Sequence, residues 1–193
     1  GYCHPVIDGA IAGALAEGTV RGGPNRYQAP FAEMLIERYP SLELVRFCNS
    51  GTEANLMVMA TAVAHSERHR FLIFHGSFHG AVLDFCASET ARPLNLPIAV
   101  EMATFNDIEE TIGLIAREAS SLAAVIIEPM MAGAGCIPAQ GDFLHAVRAA
   151  CDAVAAHGPR VSLVLKADLR PGHTDQLRTK VERVRAHLTE DPR

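Results

Sequence analysis

The sequence predicts an α/β domain built on a mostly parallel sheet with helices on both faces. Three observations carry that expectation. Phe71–Phe74 and Ala123–Ile127 are short unbroken apolar runs, the pattern of strands buried from both sides. Helical patterns separate the strand-like runs, and a parallel pair needs such a crossover between its strands. The residues after Cys48, Phe74 and Ile127 turn polar or Gly-rich, at Asn49–Thr52, His75–Gly80 and Glu128–Gly135. In open α/β sheets the carboxyl ends of the strands are where ligands bind.

Taken in order, Ala10–Leu15 reads as a short helix and Gly18–Pro30 as a loop rich in Gly and Pro. Phe31–Tyr39 places Phe31, Met34 and Leu35 at helical spacing and stops before Pro40. Leu44–Cys48 is expected as the first strand. Thr52–His65 follows as a helix with Leu56, Met59, Ala60 and Val63 on one side. Phe71–Phe74 and a segment near Ile98–Met102 are the next strands. Asp107 with Glu110 fits a capping box, and Ile108, Ile112 and Ile115 suggest a buried stripe in the helix it starts. Ala123–Ile127 is a further buried strand. The last helix of this series, Asp142–Ala156, turns Phe143, Val147, Ala150 and Val154 inward and stops at Gly158.

At 193 residues the chain is long enough for one domain with a sizeable core. A net charge of −5 and a pI near 6 argue against a nucleic-acid surface. No membrane-length apolar run and no signal peptide are seen, so membranes are not expected as partners. The five cysteines, Cys3, Cys48, Cys86, Cys136 and Cys151, form no CxxC pair. They read as reduced thiols in the cytoplasm. His65/His69 and His75/His79 have i,i+4 spacing without a third ligand nearby, a poor basis for zinc. No GxGxxG fingerprint follows a strand, which disfavours a Rossmann-type nucleotide binder.

The chemistry is concentrated at FCNSGTEANL, residues 47–56. Ser50 with Glu53 fits a capping box that satisfies orphan amides at a helix start. The same residues also suit an anion. Gly51 lets a ligand approach the backbone, and the Thr52 hydroxyl with the free N–H groups would hold a phosphate at the positive helix end. Both roles can coexist at one helix end.

Four segments together resemble the class III, fold-type I aminotransferases that use pyridoxal phosphate, and most closely their branch with glutamate-1-semialdehyde aminomutase. They are GYCHP at 1–5, YPSLE at 39–43 running into VRFCNSGTEA at 45–54, GSFHG at 76–80 and VIIEP at 125–129. The resemblance covers residues 1–158 and implies part of the large domain of that fold. It implies that Ser50, Gly51 and Thr52 hold the cofactor phosphate and that Phe78, where Tyr is more usual, stacks on the pyridine ring. It further implies that His79 shapes the site, that Glu128 lies near the cofactor, and that Gly22 and Gly23 approach the site of a dimer mate. The implied partners are an amino-acid or semialdehyde substrate and a second copy of the chain.

Two parts of that chemistry have no match. The family needs a lysine that carries the cofactor and an acid beside the ring nitrogen. Lys166 sits in no motif resembling the lysine segment, and Asp168 comes several residues too late for the acid. Residues 159–193 are expected to form a divergent tail, with a strand over Pro159–Asp168 and an amphipathic helix from Thr174 onward bearing Leu177, Val181, Val184 and Leu188. On this reading the chain is an internal piece of an aminotransferase, catalytically incomplete. The alternative is a non-catalytic binding or dimerisation module.

Overall fold

A computed structural model describes residues 3–19, 22–39, 42–85 and 95–155 in full, residue 156 as the end of a helix and residues 162–165 as a strand. The expectations for Lys166, Asp168 and the helix after Thr174 fall outside these residues, as does Cys86. The chain divides into two compact units, Gly1–Arg46 and Phe47–Arg193.

The first unit holds α1 (Pro5–Leu15) and α2 (Gln28–Arg38). The first helix begins five residues before the expected Ala10. Pro5 occupies its first turn, where the missing N–H is no loss and the fixed φ is already helical. In the loop between the helices Arg26 pairs with Glu17 and lies 5.0 Å from the centre of the Tyr27 ring.

The second unit carries α3 (Gly51–Ser66), β1 (Arg70–Phe74), β2 (Ala99–Ala103), α4 (Ile108–Arg117) and β3 (Leu122–Ile127). A two-stranded hairpin follows, β4 (Met130–Met131) against β5 (Ile137–Pro138), and then α5 (Phe143–Ala156) and β6 (Ser162–Leu165). The main sheet runs in the order β2-β1-β3-β6, and every pair in it is parallel.

Alternation along β1 and β3 builds two cores. Leu72, Phe74, Val125 and Ile127 face Leu114, Ile115, Phe143, Val147 and Cys151 from α4 and α5. Phe71, Ile73, Ala124 and Ile126 face Met59 and Ala62 from α3. Helices therefore cover both faces, which is why Phe71–Phe74 and β3 carry no polar residue. On the first face Phe74, Phe105 and Phe143 meet edge to face, with ring centres 5.2–5.7 Å apart, a geometry that aligns positive ring edges with negative faces.

Two expectations are corrected. Leu44–Cys48 is not a strand: no described residue offers it a ladder, and Leu44 is 90% exposed. An apolar run becomes a strand only where another backbone pairs with it. In α4, Ile108 and Ile112 are exposed while Thr111, Leu114 and Ile115 are buried. The Thr111 hydroxyl donates to the Asp107 carbonyl at 2.6 Å, so this polar side chain fits the buried face. The β4–β5 hairpin was not anticipated, since two-residue strands leave too short a pattern to read.

Candidate active site

The strand order reverses between β1 and β3. From β1 the chain crosses to β2 on one side, then returns to β3 on the other. Loops leaving the carboxyl ends of two such strands diverge and open a crevice, the standard ligand position of α/β sheets. Here the two loops are His75–Gly80 and Glu128–Gly135, and the start of α3 joins them.

At that helix start Ser50 is extended and caps the first turn, its hydroxyl oxygen accepting from the Glu53 amide at 3.1 Å. The Glu53 carboxylate reaches back to the Asn49 amide at 2.8 Å. The capping box is thus formed, displaced by one residue on its return arm. It uses a lone pair of Ser50 and leaves the Ser50 proton free to be donated. The amides of Gly51 and Thr52 meet no acceptor among the described residues. No atom outside its immediate neighbours stands within 4 Å of where a Cβ on Gly51 would lie. An anion can therefore reach two N–H groups and a hydroxyl at the positive end of a sixteen-residue helix.

The loop after β1 is locked from several sides. Gly76 turns it with a φ of +83°, which β-carbon residues rarely adopt. The Ser77 hydroxyl donates to the Phe74 carbonyl at 2.6 Å, so its oxygen receives the Nε2–H of His79 at 2.9 Å. The buried His79 ring thereby serves the loop's own bonding. Phe78, next to it, is 53% exposed and offers an aromatic face. The Asn55 amide donates to the His79 carbonyl at 2.6 Å, and the Ala81 amide donates to the Thr52 hydroxyl at 3.4 Å.

Glu128 directly follows β3 and is 7% exposed. One carboxylate oxygen accepts from the Phe78 amide at 3.0 Å, the other from the Ala132 amide at 3.3 Å. A charge withdrawn from water needs such donors, and these two come from both loops of the crevice. Beyond it, Asn106 holds the hairpin, donating to the Pro138 carbonyl and accepting from the Gln140 amide.

The structure thus brings Ser50, Gly51, Thr52, Phe78, His79 and Glu128 into one connected group. Gly22 and Gly23 lie in an exposed loop of the first unit. Sequence reasoning missed Asn55 and Gly80. A signal for Asn55 was present: it shares helical spacing with the apolar Met59 and Ala62, and an amide on a buried stripe demands a partner.

Comparison with known proteins gives the family. The class-III aminotransferase family pattern matches residues 1–156. The chain belongs to that family. It is 36% identical over 156 residues to a β-phenylalanine transaminase of Variovorax paradoxus, covering 81% of this chain and 36% of that protein. It is 32% identical over 163 residues to a glutamate-1-semialdehyde 2,1-aminomutase of Citrifermentans bemidjiense, covering 78% and 38%. A solved transaminase with PLP bound superposes with a TM-score of 0.73 at 31% identity, over 84% of this chain and 40% of that one. The chain therefore spans well under half the length of these relatives. Class-III aminotransferases depend on pyridoxal phosphate, and the open helix end and exposed ring of this member fit a ligand with a phosphate and a flat heterocycle. The chain's two lysines, Lys166 and Lys180, both lie outside the described residues.

Proposed function

We propose that this chain contributes the cofactor-holding part of a pyridoxal-phosphate-dependent aminotransferase or aminomutase acting on an amino acid or a semialdehyde. When bound, the cofactor supplies an electron sink through which an amino group can be moved. Ser50, Gly51 and Thr52 hold its phosphate, with two amides and the hydroxyl protons as donors. Phe78 covers the ring with its π-face, and without the phenol hydroxyl a Tyr would bring. His79 and Glu128 contact the site from the loop ends they organise. The single observation that supports this reading best is the meeting of three loops at the reversal of strand order, joined through Glu128, Asn55 and Thr52.

The same proposal places the family region at 1–158 with 159–193 as a distinct tail, the protein in the cytoplasm, and two copies in a homodimer. Gly22 and Gly23 then face the partner's site. No helix among the described residues is long and apolar enough to cross a membrane. A second reading, a non-catalytic association module, is favoured by the exposed Val6, Ile7, Ile11 and Leu15 of α1, an apolar surface of the kind that marks partner contacts.

Titration of the chain with pyridoxal phosphate, followed by borohydride reduction and mass spectrometry, tests the proposal. Saturable binding that Ser50→Ala and Thr52→Val weaken is expected, with no turnover by this chain. A reduced adduct mapped to Lys166 or Lys180 would overturn the expectation of incomplete chemistry. Absence of saturable binding would sink the cofactor reading and leave the association module.

A further inference from the structure

We propose that Asn55 and Gly80 are positioning residues that set the span between the anion-holding first turn of α3 and the ring of Phe78. The inference rests on the cofactor reading above and names two residues that reading does not use. Without them the phosphate end and the aromatic face would belong to separate pieces of chain, a helix start and a loop beginning some two dozen residues later.

Two contacts make those pieces one. The first is the buried Asn55 amide, which donates to the His79 carbonyl at 2.6 Å across 24 residues of chain. Because Phe78 is the residue before that carbonyl, the bond fixes the backbone that carries the ring. The second is the approach of Gly80 to Thr52. A Cβ on Gly80 would stand 2.4 Å from Thr52 Oγ1 and 2.8 Å from both its Cβ and Cγ2, and Gly80 has a φ of +139°. Only glycine fits, since a side chain would be strained and would push the Thr52 side chain aside. The following residue completes the arrangement. The Ala81 amide donates to Thr52 Oγ1, so a lone pair of that oxygen is engaged and its proton is aimed elsewhere, free for an anion.

A ligand with a phosphate at one end and a flat ring at the other samples both ends of this span at once, whereas inorganic phosphate samples one. The two residues therefore have different signatures. Asn55 holds the ring end and Gly80 the anion end.

The experiment uses the full chain, with Asn55→Ala, the size-matched and uncharged Asn55→Leu, which loses the donor, and Gly80→Ala. Affinity is measured for pyridoxal phosphate and for inorganic phosphate, with hydrogen exchange over residues 76–82 and over β3. Both Asn55 variants are expected to bind inorganic phosphate as wild type does and pyridoxal phosphate about tenfold more weakly, the ratio given by loss of one well-placed hydrogen bond. Exchange over 76–82 accelerates while β3 stays protected. Gly80→Ala weakens both ligands. Unchanged exchange over 76–82 in both Asn55 variants would overturn the inference, as would equal loss of the two ligands. A wild-type chain that binds neither ligand would refute the cofactor reading and the span matched to it. Exchange, which needs no ligand, would still report whether Asn55 holds the loop.

Discussion

Replacing Glu128 separates two roles that its position permits. In Glu128→Ala the amides of Phe78 and Ala132 lose carboxylate acceptors at 3.0 and 3.3 Å. A hydrogen bond to a charged group contributes about 1.5–3 kcal/mol. The longer bond belongs at the lower end, and Ala132 is exposed enough for water to replace it. Removing the carboxylate also relieves its own desolvation. The net loss is then about 2 kcal/mol, which for a chain of this size lowers Tm by about 4–8 °C. Glu128→Gln keeps one acceptor oxygen but turns an NH2 toward the other amide, so about half that shift is expected. Thermal unfolding by circular dichroism gives the shift, and hydrogen exchange at residues 77–79 and 131–133 locates it. A Tm within about 1 °C of wild type, below the roughly 0.5 kcal/mol typical of neutral surface changes, would refute the stapling argument and leave only the ligand role proposed for Glu128.

Phe74→Ala empties a fully buried site between Phe105 and Phe143, and a loss of about 3–5 kcal/mol is expected in urea unfolding. Asp107→Ala removes the cap on the Glu110 amide at 2.9 Å and lowers stability by about 1 kcal/mol, read from Tm. Burial pushes the Cys151 thiol up to about 12, with Arg148 partly opposing and Asp152 adding to the rise. Iodoacetamide at pH 8 therefore labels the exposed Cys3 and Cys136 and spares Cys151. The folded state favours the neutral thiol, so that stabilisation is whole below the ordinary value of 9.0 and is lost as pH rises from there toward about 12. Over that window Tm falls more steeply in wild type than in Cys151→Ala. Arg70→Met breaks half-exposed pairs with Glu101 at 2.6 Å and Glu118 at 3.5 Å. It changes stability by less than about 1 kcal/mol, and less still in high salt.

What the sequence made legible was whatever is written in local pattern. The runs Phe71–Phe74 and Ala123–Ile127 read as strands because burial from both faces leaves no room for polar residues. Ser50 and Asp107 read as caps because a cap is satisfied by an amide three residues away. Leu44–Cys48 misled because strand formation depends on a partner elsewhere in the chain, which a run of five residues does not encode. Ile108 and Ile112 misled for a related reason: spacing gives the width of an apolar stripe, but the neighbouring elements decide which edge of it is covered. In the site, residue types suited to an anion and a ring were visible as such. The bonds that assemble them were not, since Asn55 to His79 and Phe78 to Glu128 join residues 24 and 50 positions apart.

That last separation bears on the order in which the molecule is made. Closing a flexible loop of 50 residues costs about 3.5 kcal/mol in chain entropy, more than one amide–carboxylate bond returns. The contact between Glu128 and Phe78 therefore forms only after β1 and β3 have already aligned. On a ribosome adding about 5–20 residues per second, α3 and its capped start emerge seconds before Glu128 does. The capped start of α3, with its free amides, is a local product of a helix, complete early. The ring end must wait for a carboxylate not yet synthesised, and until then the two halves of the site exist at different times.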